Sequence, residues 1–425
     1  EIEQAVISTF LHSQPIGQRM QTRELFILIG HTRPDKIELE KALLRWASLS
    51  WFLDDTLTQE IEGASDPTSS LPKHWRLGSR PNLTQMHHDA CRFRVSDEIV
   101  ETRLIDEIGK LNSLTAGAAG QGVKVHKLPE WPRQVEDDSE FHFVILGPKS
   151  ACTAGNPSTE AKRFIEETTA SDRPRVYRNA VVIATPSIDG LDAARNAILK
   201  YLGWEEVRTQ LAGQQVDPVR SAHLTANLEA SRKAIPDSIR QAYCIVITVD
   251  ENNQIQAYRI TPSSDPLFSV IKRENRIRIQ ETAVSAEALL PGGPYDLWRE
   301  GDTARRMKDL ITAFAQFPHL PKMLNRQAIL DTLVNGCRDG MFVLRQPRPD
   351  KTYRTFWRQE PDEVAIKEPA LEVVLPEAAE LSEITPDLLS PNRLPNLWQG
   401  SELIIKNVYD YFSGGKVVQI QKDGY

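Results

Sequence analysis

Cysteine is scarce and scattered: the 425 residues hold four, Cys91, Cys152, Cys244 and Cys337, and none stands in a CxxC pair. Such spacing excludes a disulfide framework and predicts free thiols in a reducing compartment, with Cys244 and Cys337 serving as small core residues in apolar segments. No apolar run approaches the roughly 20 residues that cross a bilayer. The opening Glu1-Ile2-Glu3-Gln4 lacks the basic and apolar character of a secretion signal. The chain therefore reads as cytoplasmic, with no membrane partner. A GxxxxGK[ST] phosphate loop and a GxSxG nucleophile turn are also missing. The net charge of −7 excludes the uniform basic coat of a histone-like binder and leaves room for a local basic face.

What the chain does have is one pattern that occurs twice: a helix, a short apolar strand, a polar excursion and a returning strand, as in a winged helix. In the first copy Ile37, Leu39, Ala42, Leu43 and Trp46 recur at helical spacing and Trp51-Phe52-Leu53 form a strand. Ser65-Asp66-Pro67-Thr68-Ser69-Ser70 makes the wing, and His74-Trp75-Arg76-Leu77 returns. In the second copy a helix over residues 326–335 stops at Gly336. The strand Met341-Phe342-Val343-Leu344 follows, then the polar tip Arg348-Pro349-Asp350-Lys351 and the closing run Tyr353-Arg354-Thr355-Phe356-Trp357.

Around these copies the chain divides by composition. Residues 1–112 read as a helical, winged-helix-like domain. Its last helix is capped by Ser96-Asp97-Glu98 and buries Ile99, Leu104, Ile105, Ile108 and Leu111. A Gly/Ala/Ser-rich linker over 113–122 opens a small Rossmann-like domain over 113–235. Its strands Val123-Lys124-Val125, 141–146 and 180–184 are apolar enough for a parallel sheet, and a long helix broken at Pro218 leaves it. Residues 236–360 hold a β-hairpin, turning at Asp250-Glu251-Asn252-Asn253, and the second winged-helix-like domain. Residues 361–425 form a β-rich tail. The fold class is thus mixed, multidomain α/β, with winged-helix-like domains flanking a small parallel-sheet domain.

Each motif that hints at chemistry has a plainer reading beside it. Gly147-Pro148-Lys149-Ser150 follows a strand, but Pro stands where a phosphate loop needs an amide donor. The run from Ile245 to Asp250-Glu251 resembles a Walker B strand, although Asn252-Asn253 and a second strand beyond favour a hairpin. His87-His88-Asp89 with Cys91 matches no usual zinc spacing, and adjacent helical residues diverge by about 100°. His126 and His142 lie in or beside strands as packing or surface residues. Arg173, Arg175 and Arg178 cluster before a strand, where they suit a phosphate, a neighbouring subunit or simply solvent. In the second winged helix, Arg326, Arg338, Arg345, Arg348, Lys351 and Arg354 outnumber nearby acids, as a DNA backbone requires.

Several phrases together resemble one family. They are Trp75-Arg76-Leu77 with Arg80-Pro81-Asn82-Leu83, the run from Pro174 to Val182, Tyr201-Leu202-Gly203-Trp204, the run from Leu371 to Leu381, and Tyr411-Phe412-Ser413-Gly414-Gly415. The chain is similar, over most of its length, to the C-terminal half of large ATP-binding proteins with an uncharacterised conserved domain. These occur in bacterial and archaeal anti-phage islands beside DNA methyltransferases and helicases, and resemble the ATPase of phage-growth-limitation and BREX-type systems. The resemblance implies an AAA-like domain upstream, with ATP and Mg bound there and no cofactor or metal in this chain. The start at Glu1 without Met and the end just after the apolar run Val417-Val418-Gln419-Ile420 agree with an excerpt of a longer protein.

The expected function is therefore a non-catalytic region of a defence-associated ATPase that binds double-stranded DNA or partner proteins, a methyltransferase or helicase among them, with oligomers open. The alternatives are a nucleotide-binding or nucleic-acid-processing enzyme domain centred on the α/β unit, and a protein-interaction scaffold.

Overall fold

The structure is a computed structural model that describes residues 10, 20–29, 35–49, 74–76, 82–170, 172–216, 218–281, 285–349, 353–379, 386 and 389–412. The chain is mixed α/β and separates into two compact units, Glu1–Asn112 with Ser187–Tyr243, and Ser113–Pro186 with Cys244–Tyr425.

The described residues of the first unit are mainly helical. Strand β1 (Met20–Gln21) pairs antiparallel with β2 (His74–Trp75), and α1 (Thr22–Ile29) and α2 (Lys36–Leu49) lie between them in sequence. The expected first-wing segments, Trp51-Phe52-Leu53 and Ser65 to Ser70, fall outside the described residues. Asn82 accepts the Thr84 N–H and so caps α3 (Leu83–Phe93), while Ser96 caps α4 (Asp97–Lys110). In α4 the buried stripe is Val100, Leu104 and Ile108, spaced by four. Ile99 and Ile105, expected inside, are exposed because they lie off that stripe.

Two long helices complete this unit, α6 (Ile188–Gln210) and α7 (Pro218–Ala242). Pro218 does not interrupt a helix; it opens one, at the position where its missing N–H is harmless. The apolar faces of both helices pack with α3 around Leu83, Ala90, Trp204, Val207 and Leu224, so they leave the sheet region that the sequence reading gave them. Helices α3 and α6 approach at Gly203, where a Cβ would stand 2.4 Å from Cys91 Sγ and 2.9 Å from His87. Gly203→Ala should therefore destabilise the protein by about 1–3 kcal/mol. Gly109→Ala, in an α4 position with nothing within 4 Å, should stabilise it by about 0.5–1 kcal/mol. Urea midpoints of the two variants check both signs.

The second unit begins at the segment read as a linker. Leu114 and Ala118 are fully buried there, so apolar contacts fix it despite its glycines. Strands β3 (Lys124–Lys127), β4 (His142–Ile145) and β5 (Val181–Thr185) are parallel neighbours, as expected. The chain leaves at Ser187 and returns as β6 (Ile245–Val249) and β7 (Ile255–Arg259), which extend the same sheet antiparallel in the order β3-β4-β5-β6-β7. The hairpin thus belongs to the sheet and not to a following region. Helix α5 (Thr159–Glu166) covers one face through Phe164 and Ile165. On the other, Phe268 of α8 (Leu267–Arg273) meets Phe143 at 5.0 Å between ring centres.

Further along, β8 (Ile279–Gln280) pairs parallel with β10 (Lys322–Met323). Strand β9 (Ala304–Arg306) runs into α9 (Met307–Gln316), and α10 (Arg326–Asp339) runs into β11 (Val343–Pro347) and β12 (Tyr353–Phe356). With β13 (Glu372–Val374), which follows the short α11 (Glu363–Ile366), these make an antiparallel sheet ordered β12-β11-β13-β9. Gly336 does not stop α10. It lies inside the helix because the Phe342 ring packs 2.6 Å from where its Cβ would be, and the stop is Gly340 at φ 81°. The tail contributes the hairpin β14 (Trp398–Gln399) and β15 (Glu402–Leu403) and the helix α12 (Ile405–Phe412). The final run from Ser413 to Ile420 is outside the described residues.

Candidate nucleic-acid interface

The cations singled out in the second strand-loop-strand region are placed by α10 and the sheet beyond it. Strand alternation sends Leu344, Phe356 and Val373 into the core. The opposite face then carries one cross-strand row, Thr355, Arg345, Glu372 and Arg306. Arg345 Nε lies 2.7 Å from Glu372 Oε2, and its guanidinium stacks over Tyr353 at 4.4 Å from the ring centre. Tyr353 is 48% exposed, so the stacked pair faces water. Arg354 points the other way: it covers the Phe356 ring and pairs with Asp362 at 2.6 Å. The Ala365 N–H and Arg354 hold the Asp362 carboxyl below the usual carboxylate range.

Arg326 is the first residue of α10 and bonds to Ser139 Oγ and Glu140 Oε1, both at 3.2 Å. Arg338 is exposed in the last turn of the same helix, about 18 Å along its axis from Arg326. It sits where a cation meets the helix dipole favourably. Arg348 is partly exposed just past β11, and Lys351 lies outside the described residues. The predicted cations are therefore spread over the two ends of α10 and two faces of the hairpin, and Arg326, Arg345 and Arg354 each hold a carboxylate. Arg306, exposed on β9, was missed by sequence reasoning because β13, which lies between it and Arg345 in the sheet, comes more than sixty residues later. The pair Arg305-Arg306 was the only local signal.

The other cluster is not a joint surface. Arg175 is buried, and it donates to the carbonyl oxygens of Phe164, Glu136, Pro132, Val135 and Glu167. Arg178 bonds Asn253 Oδ1 at 3.1 Å, and Arg173 is exposed. The motifs weighed for catalysis are also occupied. Asp250 Oδ1 accepts the N–H groups of Asn252 and Gln254 within its own turn. Ser150 Oγ is 2.6 Å from Thr185 Oγ1. His87 stacks on Trp204 and lies 2.8 Å from the Lys200 carbonyl, and burial pushes the Cys91 thiol up to about 11. Among the described residues no three His, Cys, Asp or Glu side chains are grouped as a metal would need, and no helix is long and apolar enough to cross a membrane.

Compared with protein-family models, with curated proteins and with solved structures, the chain matches none.

Proposed function

We propose that the region from β9 to β12 acts as a winged helix that binds double-stranded DNA, and that the chain is the non-catalytic, DNA- or partner-binding part of a defence-associated AAA-like ATPase. The observation that carries the reading is the passage of α10 directly into a hairpin whose solvent face presents Arg345 on Tyr353, with Arg306 on the same face of the sheet beyond Glu372. Arg338 and Arg348 lie at the helix end and the loop between the hairpin strands. The acids on Arg326, Arg345 and Arg354 do not oppose this, because ion pairs still open to solvent contribute only about 0–1 kcal/mol. A phosphate offers the same guanidinium a comparable bidentate partner and releases counterions as well.

The test is duplex binding by the whole chain over a salt series. Replacing Arg348 and Lys351 by Glu should weaken binding to every sequence alike. It should also lower the slope of log affinity against log salt by about 2. Isotherms unchanged by the double substitution, or no duplex binding by the unaltered chain, would overturn the reading.

A further inference from the structure

One arginine at the end of α10 is held in place without a partner. Arg358, two residues past β12, has a φ of 51°, the left-handed backbone that residues other than glycine rarely adopt. Its N–H donates to the Cys337 carbonyl at 2.9 Å, and Cys337 Sγ donates in turn to the carbonyls of Phe356 and Gln359. The segment is thus clamped on the end of the helix. The side chain lies against Gly340, where a Cβ would stand 2.7 Å from its Nε and 3.0 Å from its Cγ. Its guanidinium sits 5.3 Å from the centre of the Trp357 ring, and Trp357 Nε1 reaches the Gly340 carbonyl. Nε is buried with no acceptor, and among the described residues neither a carboxylate nor a carbonyl takes up the guanidinium.

A structural duty does not account for this arrangement. The end of a helix attracts a cation, but the last carbonyls of α10 are already supplied. Gly336 accepts from Gly340 and Met341, Cys337 from the Gly340 and Arg358 backbones, and Gly340 from Trp357. Asp339, beside Gly340, and Glu360, two residues on, are exposed and form no ion pair with Arg358. Arg278 shares the left-handed backbone at φ 59°, yet there the guanidinium holds the carbonyls of Pro318 and His319. At Arg358 the fold bears both the strain and an orphaned donor without such a return, as it does where a group is kept for a ligand.

We propose that Arg358 is a preset seat for one phosphate of a nucleic-acid backbone, at the junction of α10 with the hairpin; this rests on the reading of the region as a duplex-binding module. Stacking on Trp357 and confinement over Gly340 fix the guanidinium beforehand, so little side-chain freedom is lost when a phosphate arrives. With Nε shut in, the two Nη groups are the donors on offer, and a phosphate presents two oxygens to them. Arg338, exposed in the last turn of α10, adds positive charge there. Arg326, Arg345 and Arg354 must each exchange a carboxylate to bind, whereas Arg358 gives up none.

The experiment is duplex binding by the whole chain over a salt series, with Arg358→Gly, a change that the left-handed backbone accepts without strain. Binding should weaken about tenfold for every sequence, as loss of a charged hydrogen bond predicts. The slope of log affinity against log salt should fall by about 1, while the urea midpoint stays level or rises. A lower midpoint with unchanged binding would make Arg358 a brace of α10 and overturn the inference. Should midpoint and binding both fall, Arg358→Lys decides, because it keeps a cation on the same backbone: a slope restored to that of the unaltered chain upholds the phosphate contact, and a slope left low refutes it. A slope that falls when Arg348 and Lys351 are replaced but not in Arg358→Gly overturns this inference and leaves the duplex reading standing. No duplex binding by the unaltered chain overturns both.

Discussion

Replacing Arg175 with alanine should remove about 4 kcal/mol or more of stability, a large share of the 5–15 kcal/mol typical of a folded domain. The side chain has no exposed surface and sends its donors three ways: Nε to Phe164, Nη1 to Glu136, and Nη2 to Pro132, Val135 and Glu167. It thereby ties the strap of residues 129–138, between β3 and β4, to the end of α5. Truncation takes the guanidinium donors from these carbonyls, of which Pro132 keeps the Val135 N–H, opens a cavity and leaves Asp137 without its cation. Lysine should recover little, since one ammonium cannot span acceptors that a planar fork reaches from three nitrogens. Arg173→Ala, two residues away and exposed, should lie within about 0.5 kcal/mol of the unaltered chain. Urea midpoints order the three variants. An Arg175→Ala protein as stable as Arg173→Ala would show that the carbonyls find water, and that the guanidinium is not what holds the strap.

Arg175 also shows where sequence reading stops. Arg173, Arg175 and Arg178 look alike in a row, yet one is a core residue, one is exposed and one bonds to Asn253 of the β6–β7 turn. What separates them is the set of carbonyls that residues 132–136 and 164–167 bring to one point, and no local pattern encodes it. Local signals did well wherever the deciding contact was local. The cap at Ser96, the apolar strands β4 and β5, and the acidic turn after β6 were all legible. Glycine misled where packing overrode propensity. Gly336 reads as a helix stop, but it is the space that Phe342 needs, and Gly340 takes the left-handed turn instead. At the candidate interface the hairpin arginines were visible from charge alone, whereas their division between two faces follows from the register of β11 with β12 and β13.

The second large effect concerns Lys322, a residue that sequence reading passed over. Its side chain is 1% exposed, and its amine donates to Asn179 Oδ1 at 2.6 Å and to the Val249 carbonyl at 2.8 Å. Asn179 is fixed in turn by donating to the carbonyls of Phe314 and Leu320. Burial lowers the amine to about 7, with Arg278 adding to the shift and Asp250 opposing it. A neutral amine keeps two N–H groups for its two acceptors, so deprotonation breaks neither bond. Because the folded value lies below the unfolded one, near 10.4, the unfolded chain holds a proton between them that the folded chain has released. Stability from this group must therefore rise with pH across that window, by at most about 1.4 kcal/mol per unit. It must be lost as pH falls towards 7. Cys337 works against it above its ordinary range, since burial raises that thiol to about 11 and the unfolded chain ionises first. A difference measurement removes the thiol: Lys322→Met leaves Asn179 and Val249 without their donor at every pH but abolishes the lysine slope. From pH 7 to pH 9 the unaltered chain should gain on Lys322→Met by about 2–3 kcal/mol, read from urea unfolding at each pH. Parallel curves would mean that the amine stays charged in the folded protein, held by acceptors stronger than an amide and a strand carbonyl, and the burial of Lys322 would then have to be relieved by water reaching it.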